Sequence, residues 1–197
     1  MIVETPHGPA KVHLRLVDDA RAALVLGHGA GGGVTAPDLV AATEAALAEG
    51  ISVALVEQPY RVAGRRSPAP ARQLDAAWIA VVEHLAFELP LVVGGRSLGA
   101  RVACRTAAET GAVAVLCLAF PLHPPGRPEK SRLAELEAVT VPVLVVQGER
   151  DPFGMPPEGP GRTVVRVAGD HGLKSDLAAV KEAVRAWLQS IASSLRS

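Results

Sequence analysis

One stretch leaves this chain few ways to fold: Leu91-Val92-Val93-Gly94-Gly95-Arg96-Ser97-Leu98-Gly99-Ala100-Arg101. Its start is apolar and rich in β-branched residues, which predicts a buried strand. From Leu98 the residues favour a helix as far as Thr110, where Gly111 stops it. Almost nothing separates strand from helix, so the chain must turn sharply at Ser97. A non-glycine residue at such a turn carries backbone strain. Gly95 and Gly99 lack a Cβ, so strand and helix can pass closely. The Ser97 hydroxyl then projects from the turn, at the positive end of the helix dipole.

The rest of the chain repeats the same strand-to-helix logic. Residues 11–17 alternate polar and apolar, which reads as an edge strand with one wet face. Residues 22–26, 51–56, 91–94, 113–119, 143–146 and 163–167 read as strands, most of them apolar enough to be covered on both faces. Helices are expected from Pro37 to about Glu49, over residues 71–88, over residues 131–138, and from about Ser175, as its N-cap, to Ile191. Residues 57–70 hold Pro, Gly and Arg and read as a long loop. Strands alternating with helices predict an α/β fold: a single domain spanning residues 1–197, its sheet mostly parallel, with helices on both faces. At 197 residues and 49% hydrophobic, the chain can bury one sizeable core.

Ligands of such sheets bind beyond the carboxyl ends of the strands. Five chemically interesting runs lie just there: His28-Gly29-Ala30-Gly31, Ser97, Pro121-Leu122-His123, Asp151 and His171. Gly95-Arg96-Ser97-Leu98-Gly99 matches G-x-S-x-G, the pattern of a nucleophile elbow. A Ser hydroxyl needs a base to take its proton, usually a His oriented by a carboxylate. With this elbow the chain order is Ser, acid, His. Ser97, Asp151 and His171 satisfy that order, with gaps that allow the acid to follow one strand and the base the next. His171 is therefore the expected base, and His123, after another strand, is its competitor. Asp170 and Asp176 adjoin His171 too closely in sequence to serve its Nδ1.

An oxyanion needs two preorganised donors. The N–H of Leu98 is the first expected one, and Ala30, in the glycine-rich loop after the strand at 22–26, carries the second. The same loop lacks the Lys-Ser/Thr ending of a phosphate loop and the spacing of G-x-G-x-x-G. His28, Gly31, Tyr60, Arg96, Leu122 and His123 are expected to line a substrate pocket. Arg61, Arg65, Arg66, Arg96 and Arg101 read chiefly as solvated surface charge.

These runs together resemble the α/β-hydrolase superfamily over essentially the whole chain. They are most similar to a small, cap-less, dienelactone-hydrolase-like group that includes the hydrolase-like region of a subunit of a chromatin-acetylating complex. The resemblance rests on Leu26-Gly27-His28-Gly29-Ala30-Gly31, Gly94-Gly95-Arg96-Ser97-Leu98-Gly99-Ala100-Arg101, Phe120-Pro121-Leu122-His123-Pro124-Pro125-Gly126, Gln147-Gly148-Glu149-Arg150-Asp151-Pro152-Phe153-Gly154 and Asp170-His171. It implies Ser97 as nucleophile, Asp151 as acid and His171 as base. Dienelactone hydrolases proper carry Cys where this chain has Ser97.

The resulting expectation is a serine hydrolase cleaving an ester or similar acyl bond of a small substrate, without metal, organic cofactor, cap or lid. A non-catalytic interaction domain and a peptidase or acyltransferase with the same three residues are the rivals. With 20 Lys+Arg against 20 Asp+Glu, no basic field exists for nucleic acid or a membrane surface. Residues 1–6 show no basic or apolar leader pattern. Cys104 and Cys117 sit in apolar contexts and read as reduced core residues of a cytoplasmic protein.

Overall fold

The computed structural model describes residues 1–194. Its strands are β1 Ile2–Val3, β2 Ala10–Arg15, β3 Ala22–Gly27, β4 Ile51–Glu57, β5 Leu91–Arg96, β6 Ala114–Leu118, β7 Val143–Gly148 and β8 Arg162–Val167. They form one sheet in the order β1-β2-β4-β3-β5-β6-β7-β8. β3 to β8 run parallel, whereas β1 and β2 join antiparallel at one edge. The helices are α1 Pro37–Ala48, α2 Pro59–Val62, α3 Ala71–Leu85, α4 Leu98–Thr106, α5 Leu133–Glu137 and α6 Leu177–Ser194. The chain is thus a single-domain α/β fold with a mostly parallel eight-stranded sheet.

The apolar strand runs follow from burial on both faces. On β3, Leu24 and Leu26 face the core beneath α1 and α6, while Ala23 and Val25 face the core beneath α3 and α4. Val92 and Val93 of β5 divide the same way. On α3, Leu74, Trp78, Val81 and Val82 recur at helical spacing and are all buried. The second core also takes Leu39 of α1 and Val180, Val184 and Leu188 of α6.

Element ends differ from the sequence reading in definite ways. Two residues at the N-terminus add the short strand β1, because Ile2 and Val3 pair with Lys11 and Ala10. Residues 57–70 are not all loop, since Pro59 starts the short helix α2. α3 stops at Leu85, three residues early. Ala86 turns left-handed (φ 43°) and its N–H bonds Val82 O, which sends Phe87 back onto the core. α4 ends at Thr106, and turns carry the chain on to Gly111. α5 covers five residues rather than eight. α6 starts at Leu177 and runs to Ser194. The side chain that accepts from its first turn is Asp176, whose Oδ1 takes the Ala179 N–H at 2.9 Å, not Ser175. No described helix is long and apolar enough to cross a membrane.

Three ion pairs tie the helices of one layer together. Arg105 pairs with Asp75 of α3, and both Arg101 and Arg105 reach Glu135 of α5. Arg101 is therefore a structural tie and not a solvated charge. Cys104 of α4 and Cys117 of β6 are buried thiols with sulfurs 3.5 Å apart.

Candidate active site

β3 is flanked by β4 on one side and β5 on the other, so the chain leaves its carboxyl end in one direction and returns in the other. Such a reversal opens a crevice at the end of the sheet. The glycine-rich loop after β3 and the turn after β5 are its two walls.

Ser97 occupies the turn with φ 51° and ψ −107°, a conformation few non-glycine residues adopt. That strain costs on the order of 1–3 kcal/mol and is held by close packing. A Cβ on Gly95 would come within 2.6 Å of Gly27 O, and one on Gly99 would overlap the Gly27 carbonyl group. Glycine is required at both, so that β3, β5 and α4 can approach. The Ser97 N–H bonds Leu118 O of β6 at 2.9 Å, which anchors the turn from the other side.

His171 lies in the loop between β8 and α6, and Asp151 follows β7. His171 Nε2 accepts from Ser97 Oγ at 2.9 Å, and His171 Nδ1 donates to Asp151 Oδ2 at 2.8 Å. Three residues from the ends of three strands thus meet in one hydrogen-bonded chain. The Asp151 carboxylate is fixed by two further donors. Gln147 Nε2 reaches Oδ2 at 2.8 Å, and the Phe153 N–H reaches Oδ1 at 2.8 Å. Gln147 is fully buried, and its Nε2 also lies within hydrogen-bond distance of the carbonyls of Phe120 and Gly154, so one amide ties the turn at 151–154 to the segment after β6. The Phe153 ring covers the imidazole of His171, centroid to centroid 4.1 Å.

The competitors are occupied elsewhere. His123 bonds the Pro124 carbonyl through Nδ1 at 2.9 Å and packs on Gly154, where a Cβ would sit 2.5 Å from its Nε2. Asp170 accepts from the Gly172 N–H, and Asp176 serves α6.

The glycine-rich loop is held from beneath. His28 is 2% exposed; its Nδ1–H donates to Gly29 O at 2.8 Å and its Nε2 accepts the Gln58 N–H at 3.1 Å. Burial lowers the pKa of this imidazole, which suits a ring that must remain neutral to accept at Nε2. Tyr60, 4% exposed, donates its hydroxyl to Ala30 O at 2.9 Å. Burial raises the pKa of that phenol. His28 and Tyr60 therefore both support the loop through their hydrogen bonds. Gly31 is exposed on the loop. Leu122 is half-buried, packed against the core. As the first residue of α4, Leu98 has no helical acceptor for its N–H.

Arg96 departs from the pocket expectation. Its Nε lies 2.8 Å from Asp38 Oδ2, and its Nη2 donates to His171 O at 2.7 Å. The guanidinium is taken up by protein groups and not left to meet a substrate. Asp38 is fully buried in the first turn of α1. Burial raises its pKa and the Arg96 charge opposes that rise. Sequence reasoning assigns no individual role to Asp38, Gln147 or Phe153, although Gln147 and Phe153 lie in the run around Asp151 that carries the resemblance. Gln147 had a signal, being a polar residue inside an apolar strand. Asp38 had only the weak one of an acid in a first turn, which surface helices share. No cluster of three or more His, Cys, Asp or Glu side chains able to hold a metal forms among the described residues.

Residues 20–193 match the model of a family described as alpha/beta hydrolase domain. No curated protein sequence matches the chain. Among solved structures it is similar to a serine hydrolase without a lid from Xanthomonas campestris, at TM-score 0.78 and 22% identity over 96% of this chain and 93% of that one. Est1E from Butyrivibrio proteoclasticus, with ferulic acid bound, aligns at TM-score 0.81 and 16% identity over 98% and 99% of the two chains. A dienelactone hydrolase from Anabaena variabilis aligns at TM-score 0.76 and 18% identity over 96% and 95%.

Proposed function

The chain belongs to the α/β-hydrolase family, and from that premise we propose that it is a serine hydrolase cleaving an ester or similar acyl bond of a small substrate. The observation that carries this reading is the hydrogen-bonded chain Ser97 Oγ, His171 Nε2 and Nδ1, Asp151 Oδ2, at 2.9 and 2.8 Å.

Ser97 Oγ attacks the acyl carbon while His171 Nε2 takes its proton. Asp151 keeps the Nδ1–H of the ring in place and stabilises the imidazolium that forms. Charge moves to the carbonyl oxygen, which the N–H groups of Leu98 and Ala30 receive. His171 returns its proton to the leaving group. A water, deprotonated by His171, then releases the acid and restores Ser97. The Tyr60 and His28 bonds to the glycine-rich loop hold the Ala30 peptide in place before reaction, so the donor needs little reorganisation.

The test combines labelling and turnover. The purified protein is expected to take one fluorophosphonate at Ser97 and to hydrolyse p-nitrophenyl acetate. Ser97→Ala and His171→Ala are expected to lose kcat by a factor on the order of 10⁶. His123→Ala is expected to lose far less. Retained turnover in Ser97→Ala, or a more damaging His123→Ala than His171→Ala, refutes the assignment. An acyl product formed on an added amine or alcohol in preference to water identifies an acyltransferase instead.

A further inference from the structure

We propose that Arg96, through the buried Asp38, is a positioning residue that holds the three loops of the Ser97 site in register. The inference rests on the serine hydrolase reading and concerns how that site is kept assembled.

Arg96 directly precedes Ser97, so its backbone belongs to the elbow. Its side chain, 17% exposed, runs sideways beneath the crevice instead of into solvent. Each nitrogen meets a different segment. Nε pairs with Asp38 at the start of α1, the helix that the glycine-rich loop leads into. Nη2 donates to the carbonyl of His171 itself. Nη1 lies against Gly29, where a Cβ would be 3.0 Å away. One planar fork therefore spans the segments carrying the nucleophile, the Ala30 donor and the base. Only a guanidinium offers donors in several fixed directions; an ammonium is a single point charge.

A fold-only explanation is weak. A fully buried carboxylate is costly to desolvate, and apolar residues of similar volume often replace such pairs without loss of stability. The ion pairs on the opposite face of the sheet, among Asp75, Arg101, Arg105 and Glu135, join helix to helix, and their side chains reach none of the three site residues. Besides the His171–Asp151 contact itself, Asp38–Arg96 is the ion pair among the described residues that reaches the base loop, through Arg96 Nη2 and the His171 carbonyl.

The experiment compares the wild type with Arg96→Lys and with the double variant Asp38→Asn/Arg96→Met, which removes both charges and leaves neither unpaired. Unfolding midpoint, kcat and KM for p-nitrophenyl acetate, and the downfield proton resonance of the His171 Nδ1–H are measured. The double variant is expected to unfold near the wild-type temperature, keep its KM within about threefold and lose kcat by about 10²-fold, the scale set by a 1 Å misplacement. Its downfield resonance is expected to broaden. Arg96→Lys is expected to lose kcat in the same direction, because one ammonium cannot serve both Asp38 and the His171 carbonyl. Wild-type kcat with an unchanged resonance in the double variant overturns the proposal. If that variant does not fold, wild-type kcat and resonance in Arg96→Lys overturn it alone. A wild type that neither turns over esters nor takes a fluorophosphonate refutes the hydrolase reading, while the resonance still tests the positioning of His171.

Discussion

At the scale of single residues, the site is a set of ordinary side chains whose neighbours leave them one role each. His28 illustrates how that becomes measurable. Its folded pKa is lowered by burial, so the unfolded chain binds this proton more readily than the folded one. Stability from the neutral ring is full above the unfolded value of about 6.5 and is lost as pH falls below it. Protonation also removes the Nε2 lone pair that accepts from Gln58. The unfolding midpoint should therefore fall between pH 7.5 and 5.5, and part of that fall should vanish in His28→Gln. An identical pH response in the variant shows that His28 does not govern it. Ser97, Asp151 and His171 could be placed from sequence because each follows a strand in a fixed order. Asp38, Gln147 and the support roles of His28 and Tyr60 could not, because they depend on which groups lie across the sheet. Arg96 shows the limit most plainly: sequence marks it as adjacent to Ser97 but cannot say that its partners are 58 positions back and 75 ahead in the chain.

At the scale of elements, the apolar runs identify the buried strands well, since a strand covered on both faces needs continuous hydrophobicity. Helix ends are less legible, because they depend on local bonds that several residues could make. Ser175 and Asp176 are both good caps by type, and only the backbone path selects Asp176. Ala86 ends α3 because Phe87 must reach the core, a tertiary demand. The β3–β5–α4 contact is the most exacting element packing here. Gly99→Ala should force β3 and α4 apart at the Gly27 carbonyl, costing roughly 1–3 kcal/mol or more, with activity lost as the elbow shifts. Gly31→Ala is the control: nothing lies within 4 Å of its added Cβ, and stability should stay within about 0.5 kcal/mol. Urea unfolding of both variants decides the point, and equal midpoints refute it.

At the scale of the whole molecule, the question is how much substrate the crevice can cover. Hydrolases that shelter long acyl chains need an apolar cover near the nucleophile. Residues 119–132, between β6 and α5, contain no helix and carry four prolines, which restrict the backbone. Arg132 pins the end of this segment through the Pro121 and Leu122 carbonyls. The other neighbouring segment, α2, is tied down by buried Pro59 and Tyr60, the latter bonded to Ala30. A hollow of about 740 Å³ does exist, lined by Cys104, Ala107, Ala112, Ala134 and Val139, but it sits at the far end of α4 from Ser97. It contains none of the three site residues, so it gives no tunnel to the acyl carbon. A long chain bound at Ser97 would leave most of its methylenes in water, forgoing about 0.8 kcal/mol for each one not buried. Short acyl groups should therefore be preferred. In a series of p-nitrophenyl esters, kcat/KM should peak at about two to four acyl carbons, since added methylenes find no apolar surface to bury against. A steady rise to long chains, or a jump in rate above the micelle concentration, would require a cover or tunnel beside Ser97 and overturn this reading of the open crevice.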